Sequence, residues 1–424
     1  MKPEQKKLLG MMSLIAIILS ILSLLLIFQF ASPKQTPQEI TQETHEQVQE
    51  KKTISQAEQL AQGYNYDEAL SLLKNDDSKE AVSLQKKITE EKQQLVAWKD
   101  PDTFSHLFFH SLIVDPQKAF STPQAKGYKD YMVTIPEFKQ TIQELHQNGY
   151  VLVDINKLVQ KNDAGNLEFV GISLPKDKKP LILSQDDVSY YEYMHDSGFP
   201  DQLVATDAGV KNTYQSDGKK ETGDFDMVPL LDSFIKEHPD FSYQGAKGTL
   251  ALTGYNGVLG YRTSKSQYGD TKTTQSEIEK AKKVAQQLKN EGWTFASHSW
   301  GHINMTTSSL AEVEADNTLW QQEVAPIVGK TSILIYPFGA DIGDWHLYDE
   351  TNGKFAYLKE QGFDIFCNVD ATTKAWGQLG TDFYRNARIN VDGIRFDSEL
   401  SGKNTVLDDF ISVKDVYDGK SRGM

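Results

Sequence analysis

Cysteine is almost missing from this sequence: among 424 residues only Cys367 is present. One thiol excludes an intramolecular disulfide framework and a cysteine-rich zinc site, so any metal must be held by histidine and carboxylate. Positive charge is also in deficit, with 44 Lys and Arg against 59 Asp and Glu and a net charge of −15. Such a chain repels phosphate backbones, and beyond the Lys282-Lys283 pair no basic patch offsets this, so nucleic acid is excluded as a partner. Long apolar runs are absent but for one. From Leu8 to Phe28 the chain carries no charge over 21 residues. As a helix that run spans roughly 31 Å, the thickness of a bilayer core. Lys2, Lys6 and Lys7 precede it, which makes residues 1–7 a cytoplasmic tail, residues 8–31 a transmembrane anchor, and all that follows extracellular. A cleaved signal peptide is the rival reading. It calls for a shorter apolar core and a small residue at −3, where an end at Ala31 puts Gln29.

Residues 32–53 are rich in Gln and Glu and nearly free of large apolar side chains, so they are expected to form a disordered stalk. From residue 54 to 100 the spacing of Ala57, Leu60, Ala61, Leu70, Leu73, Leu84 and Ile88 turns helical. This predicts short amphipathic helices serving as a spacer packed on the next domain, with a protein-docking module as the alternative. Residues 101–424 read as one domain in which short apolar runs alternate with amphipathic helices. The runs are Leu107–Phe109, Val151–Val153, Leu181–Ser184, Thr249–Thr253, Trp293–Ser297, Ile333–Tyr336, Asp364–Cys367 and Ala387–Val391. Between them, Phe138, Ile142 and Leu145 mark a helix ending at Gly149, and Ser276-Glu277-Ile278-Glu279 reads as a capping box opening another that ends at Gly292. The pattern is that of an α/β fold with a mostly parallel sheet, possibly closed as a barrel, whose chemistry sits at the C-terminal ends of strands.

Three of these runs end in polar clusters. Leu181–Ser184 leads into Gln185-Asp186-Asp187. Adjacent carboxylates at a strand end point in different directions, so one can ligate a metal while the other faces water; taken alone, the pair is equally at home in a turn. Trp293–Ser297 leads into His298-Ser299-Trp300-Gly301-His302, where histidines at i and i+4 meet one ion if the segment turns helically. Ile333–Tyr336 ends at Pro337-Phe338-Gly339, by itself only a strand stopped by Pro and Gly.

Together and in this order, the three clusters resemble the motifs of the polysaccharide deacetylases of the NodB-homology type, carbohydrate esterase family 4. The first family motif, T-F-D-D-G, is similar to Ser184–Val188. The second, H-S/T-x-x-H, is matched in full by His298–His302. The third, R-x-P-Y/F-G, is matched at Pro337-Phe338-Gly339, with Ile335 in place of the arginine. The family also carries a histidine near the end of the domain, and this chain has none after His346. Instead Leu107-Phe108-Phe109-His110-Ser111 precedes the first motif, which resembles the circularly permuted branch that includes the poly-N-acetylglucosamine deacetylases, here in a membrane-anchored, Gram-positive cell-wall form.

The resemblance implies a distorted (β/α) barrel of about seven parallel strands. It implies one divalent ion, zinc foremost, held by Asp187, His298 and His302, with Asp186 as general base and His110 as general acid. Arg388 takes the missing arginine's task of orienting the base, with Arg385 as the fallback, and the Phe338 N–H stabilises the oxyanion. Tyr336, Pro337 and Trp345 are candidates for substrate contact, and Trp376 is another ring able to stack on sugar. His106, four residues before His110 and roughly 13 Å from it along a strand, is expected to be dispensable. The implied substrate is a cell-wall glycan containing N-acetylglucosamine, either peptidoglycan or a wall-attached polysaccharide with its linkage sugars. A metal-free glycan-binding pseudoenzyme or a wall scaffold is the alternative. The long segment 190–227, rich in Asp, Lys, Gly and Tyr, is expected to wall the groove.

Overall fold

The computed structural model describes residues 37–343 and 346–423. The run 8–31 lies outside them, and no helix of the described residues is long and apolar enough to cross a membrane. Seven strands close a parallel barrel: β1 Ser105–Phe109, β2 Lys179–Gln185, β3 Thr249–Leu252, β4 Thr294–Ser297, β5 Ile333–Ile335, β6 Ile365–Val369 and β7 Tyr384–Asn390. Order around the ring follows order along the chain, and β7 returns to β1 with Ile389 opposite Leu107. The remaining apolar run, Val151–Val153, stands outside the ring as the strand Tyr150–Leu152, which pairs with the lower half of β2.

Alternation along each strand sorts the side chains between lumen and helices. Ile182, Ala251, Ala296, Ile333, Ile365, Cys367 and Tyr384 share one buried cluster that fills the lower lumen. Their neighbours Leu181, Leu183, Leu250, Leu252, Phe295 and Ile389 belong to another, packed under the helices. Because both faces are covered, these strands read as continuous apolar runs rather than as alternating patterns.

Among the described residues three helices precede the barrel: α1 Pro37–Gln62, α2 Tyr66–Leu73 and α3 Lys79–Gln93. Helix α1 therefore starts inside the segment expected to be a disordered stalk. Gln and Glu are good helix formers, so a segment with no core of its own still takes up helix next to a docked one. The three helices pack on the lower end of the barrel, where the Tyr64 hydroxyl donates to the Asp240 carbonyl at 2.8 Å and its ring stacks on Tyr243. The antiparallel pairing of Val96–Trp98 with Ile172–Leu174 fixes the junction.

Around the ring lie α4 Ile135–Gln147, α5 Met227–Glu237, α6 Lys272–Asn290, α7 Leu310–Glu323, α8 Gly353–Glu360 and α9 Gly393–Leu400. Helix α6 opens at Lys272 with Thr271 as its cap, not at the Ser276 box. Its first turn is Lys-Thr-Thr-Gln, without apolar periodicity, so the sequence pattern starts a turn late. The segment 190–226 folds as a three-stranded antiparallel sheet, Gln202–Thr206, Gly209–Ser216 and Lys219–Gly223.

Helix α4 also anchors the far end of the described chain. Glu137 is completely buried; it closes a capping box with Thr134 and takes two bonds from Arg422, at 2.7 and 2.9 Å. Removing one partner of such a pair strands a buried charge. Arg422→Met is therefore expected to lower the unfolding free energy by about 3 kcal/mol in urea denaturation. A loss within error of zero would mean that water replaces the guanidinium.

Candidate active site

The upper lumen is polar, and its centre is Asp186 at the end of β2. Asp186 Oδ1 accepts from Arg388 Nη1 at 2.7 Å, with both side chains buried. Parity along β7 explains why it is this arginine. Tyr384, Asn386 and Arg388 share the inward face, whereas Arg385 points outward, bonds Asp341 at 2.9 Å and lies over the Tyr348 ring. The Arg388 guanidinium lies 4.1 Å from the centre of the Phe108 ring. Burial disfavours the charge on Asp186, but Arg388 and then His298 outweigh it and hold the carboxyl down at about 2.

The next residue, Asp187, has a left-handed backbone, φ 60°, which turns its carboxylate towards two histidines. Ligating atoms of Asp187, His298 and His302 lie within 4.8 Å of one another. His298 leaves the end of β4 with its Nδ1 2.8 Å from the Ile335 carbonyl, so that nitrogen carries the proton and Nε2 is left bare in the lumen, 3.8 Å from Asp186 Oδ2. Burial lowers the His298 pKa to about 4 against the pull of both aspartates, so the ring is neutral at pH 7. His302 Nε2 stands 3.8 Å from Asp187 Oδ1.

The segment between the histidines does not turn helically, as their spacing suggested. Ser299 and His302 both adopt left-handed backbone, with φ 56° and 52°. Asp316 on α7 pins this reversal by accepting the Trp300 and Gly301 N–H groups, each at 2.7 Å. Two imidazoles and a carboxylate, one imidazole oriented by a backbone carbonyl, form a donor set that fits a divalent ion such as zinc. A second His/Asp group, His146, His238 and Asp240, lies at the lower end, but Lys178 already sits 2.9 Å from the Asp240 carboxylate.

His110 follows β1 at the same end of the barrel, half-buried and edge-on to Phe108. It lies within electrostatic reach of Asp186 and of Asp392, the buried cap of α9. Phe338 has φ 59°, is 69% exposed, and sets its ring edge-to-face against His302 at 4.4 Å. Other candidates lie away from the lumen or outside the described residues. Tyr336 is fully buried on the outward side of β5 with its hydroxyl on Tyr348, and Pro337 is buried beside it, so neither ring faces a substrate. Trp376 lies against Arg385, outside the lumen, and Trp345 falls outside the described residues.

Several contributors carry no motif. The Tyr191 hydroxyl donates to Asp187 Oδ1 at 2.5 Å and meets Thr253 at 2.8 Å. Ser184 lies 3.3 Å from Arg388 Nη1 and 2.9 Å from His106 Nε2, while His106 Nδ1 meets Asn386 at 2.8 Å. His106 is 1% exposed and braces the layer beneath Arg388. The inward alternation of β1, β2 and β7 was the available signal, since it places these side chains at successive levels of one lumen.

Burial, then the Arg388 charge, lowers the His106 pKa from 6.5 to about 3. Unfolded, the ring takes its proton near 6.5; folded, only near 3. The stability it contributes is therefore present above pH 6.5 and is lost progressively as pH falls towards 3. Between pH 7 and pH 5 this group alone costs roughly 2 kcal/mol. His106→Gln is expected to flatten the pH dependence of the unfolding free energy across that range. An unchanged slope would show that His106 accepts its proton in the folded state.

Residues 271–354, about a fifth of the chain, match the family model described as polysaccharide deacetylase. The match takes in His298, His302 and Pro337-Phe338-Gly339, whereas Asp186, Asp187 and His110 lie before it. No curated protein sequence is matched. Among solved structures the chain is similar to the Streptococcus pyogenes deacetylase PplD in complex with acetate, at 14% identity over 69% of this chain and 94% of that one, with TM-score 0.38. It is similar to a family 4 carbohydrate esterase from Bacillus anthracis, at 15% identity over 66% and 91%, with TM-score 0.24. It is also similar to the chitin deacetylase of the fungal pathogen Colletotrichum lindemuthianum, at 14% identity over 46% and 78%, with TM-score 0.20. The family match falls on the stretch that supplies both histidines of the Asp187 cluster, and it supports a hydrolytic deacetylase.

Proposed function

We propose that this chain removes N-acetyl groups from N-acetylglucosamine residues of a cell-wall glycan, releasing acetate, with a divalent ion held by Asp187, His298 and His302. The observation that carries the reading is the pairing of that donor set with a second carboxylate, Asp186, fixed 2.7 Å from Arg388. A divalent ion in such a site polarises a carbonyl and acidifies water. Asp186 then takes the proton of the attacking water. Arg388 keeps the carboxylate ionised and aimed. As the C–N bond breaks, His110 delivers a proton to the departing nitrogen, which cannot leave as an amide anion. The Phe338 N–H, at the turn after Pro337, supports the oxyanion.

His110 precedes the first motif in the chain, as in the permuted branch of the deacetylases. The closed ring supports that role, because β1 lies between β7 and β2 and brings His110 to the end that holds Asp186. The wall substrate and zinc rest on the resemblance, and the placement outside the membrane on the apolar run Leu8–Phe28. Under that reading the catalytic domain stands on the outer face, within reach of wall polymer.

Acetate release from wall fractions, measured with the full chain, is the direct test. Asp186→Asn is expected to keep stoichiometric metal but lose two to four orders of magnitude in turnover. Asp187→Asn and His302→Ala are expected to lose the metal itself, read by elemental analysis after dialysis. Exchanged phenotypes for the two aspartates would overturn the assignment, and full metal in every variant would leave a glycan-binding pseudoenzyme. His110→Ala should retain metal and lose turnover on the amide by a similar factor. On an activated acetate ester, whose leaving group needs no proton, the loss should be much smaller. Equal losses on both substrates would remove His110 from the acid role.

A further inference from the structure

Three tyrosines stack in a column beside Asp187. Tyr191 is the middle ring: it lies 4.7 Å from Tyr255 with 11° between planes and 5.5 Å from Tyr193 with 14°. The inner part of the column is fixed. Tyr191 is buried and its hydroxyl is bound to Asp187 and Thr253, while the Tyr255 N–H donates to the Trp300 carbonyl at 3.0 Å. The loop carrying the outer ring is fixed as well. Arg262 donates to the carbonyls of Tyr190 and Asn256, each at 2.7 Å, Asn256 accepts the Glu192 N–H at 3.1 Å, and Met194 is buried. Yet Tyr193 itself is 52% exposed and belongs to none of the buried clusters, so the fold uses one face of its ring and leaves the other to solvent. Burial and then the charge of Asp187 raise its phenol pKa, which places the ring within electrostatic reach of that carboxylate.

A rigid aromatic face at the rim of a deacetylase site has a chemical counterpart in a pyranose ring, whose axial C–H groups form an apolar, weakly positive face. We infer that Tyr193, propped by Tyr191 and Tyr255, is a stacking platform for a sugar ring of the glycan, adjacent to the unit that loses its acetyl group. The inference rests on the glycan reading above and adds a subsite to it. Tyr193 acts through ring area, not through its hydroxyl, and its contribution is one of binding.

The test uses the full metal-loaded chain carrying Asp186→Asn, so that substrate binds without turnover, with the tetramer of N-acetylglucosamine as probe in titration calorimetry. Adding Tyr193→Ala is expected to weaken binding about fivefold, the scale of one aromatic contact. Adding Tyr193→Phe should leave affinity within twofold, and thermal unfolding should be the same for both variants. Acetate release from the same tetramer by the chain with Asp186 intact is measured in parallel. Undiminished affinity for Tyr193→Ala while acetate is still released overturns the platform and leaves the proposed function standing. Loss in Tyr193→Phe equal to that in Tyr193→Ala also overturns it, because the hydroxyl would then be the contact. A parent chain that neither binds the tetramer nor releases acetate from it overturns the glycan reading and the platform with it.

Discussion

The ion pair between Arg388 and Asp186 is the constraint on which the upper barrel depends. Two charges enclosed in a lumen are tolerated when they match each other with good geometry and further hydrogen bonds support the pair. Ser184 on β2 serves Arg388 on β7 across the intervening β1, His106 on β1 serves Ser184, and Asn386 on β7 serves His106. Below this layer the lumen is Ile, Ala, Cys and Tyr, so a misplaced charge would have no water to fall back on. The polar layer therefore fixes the register of β7, β1 and β2 as firmly as the backbone ladder does. A slip of one residue would send Arg388 to the helices and bring Arg385 inside.

That parity rule also marks how far the sequence could be read. The seven barrel strands stood out as apolar runs because both of their faces are buried. Asp186, Asp187, His298 and His302 stood out because carboxylates and imidazoles at strand ends are rarely accidental in such order. Arg388 rather than Arg385 followed the missing arginine of the third motif, and strand alternation supplies the reason. What could not be read was made by tertiary approach. Asp316 reaches the histidine loop from the middle of α7, and Tyr191 returns to Asp187 across its own turn, neither with a local pattern to mark it. Tyr336 misled because the residue after a strand's last inward position looks like part of the site and is turned away from it. The start of α1 was missed for the opposite reason: polar residues with high helix propensity look like linker when no apolar stripe accompanies them.

The site is also the place where the backbone departs most from easy conformations. Asp187, Ser299, His302 and Phe338, none of them glycine, all have φ between 52° and 60° and surround a single point. Left-handed backbone at a non-glycine residue costs on the order of 1–2 kcal/mol, and the surrounding packing has to hold it in place.

The folded barrel itself holds part of these turns, since Asp316 accepts the Trp300 and Gly301 N–H groups, and the entropy of ordering that segment is lost during folding. An incoming ion or sugar meets a shape that is already formed. Affinity at this site then tracks the quality of individual contacts, with little reorganisation to dilute them. The same rigidity narrows what fits: under the metal reading proposed above, ligands spaced by left-handed turns favour one size of ion, and the backbone shares in that selectivity.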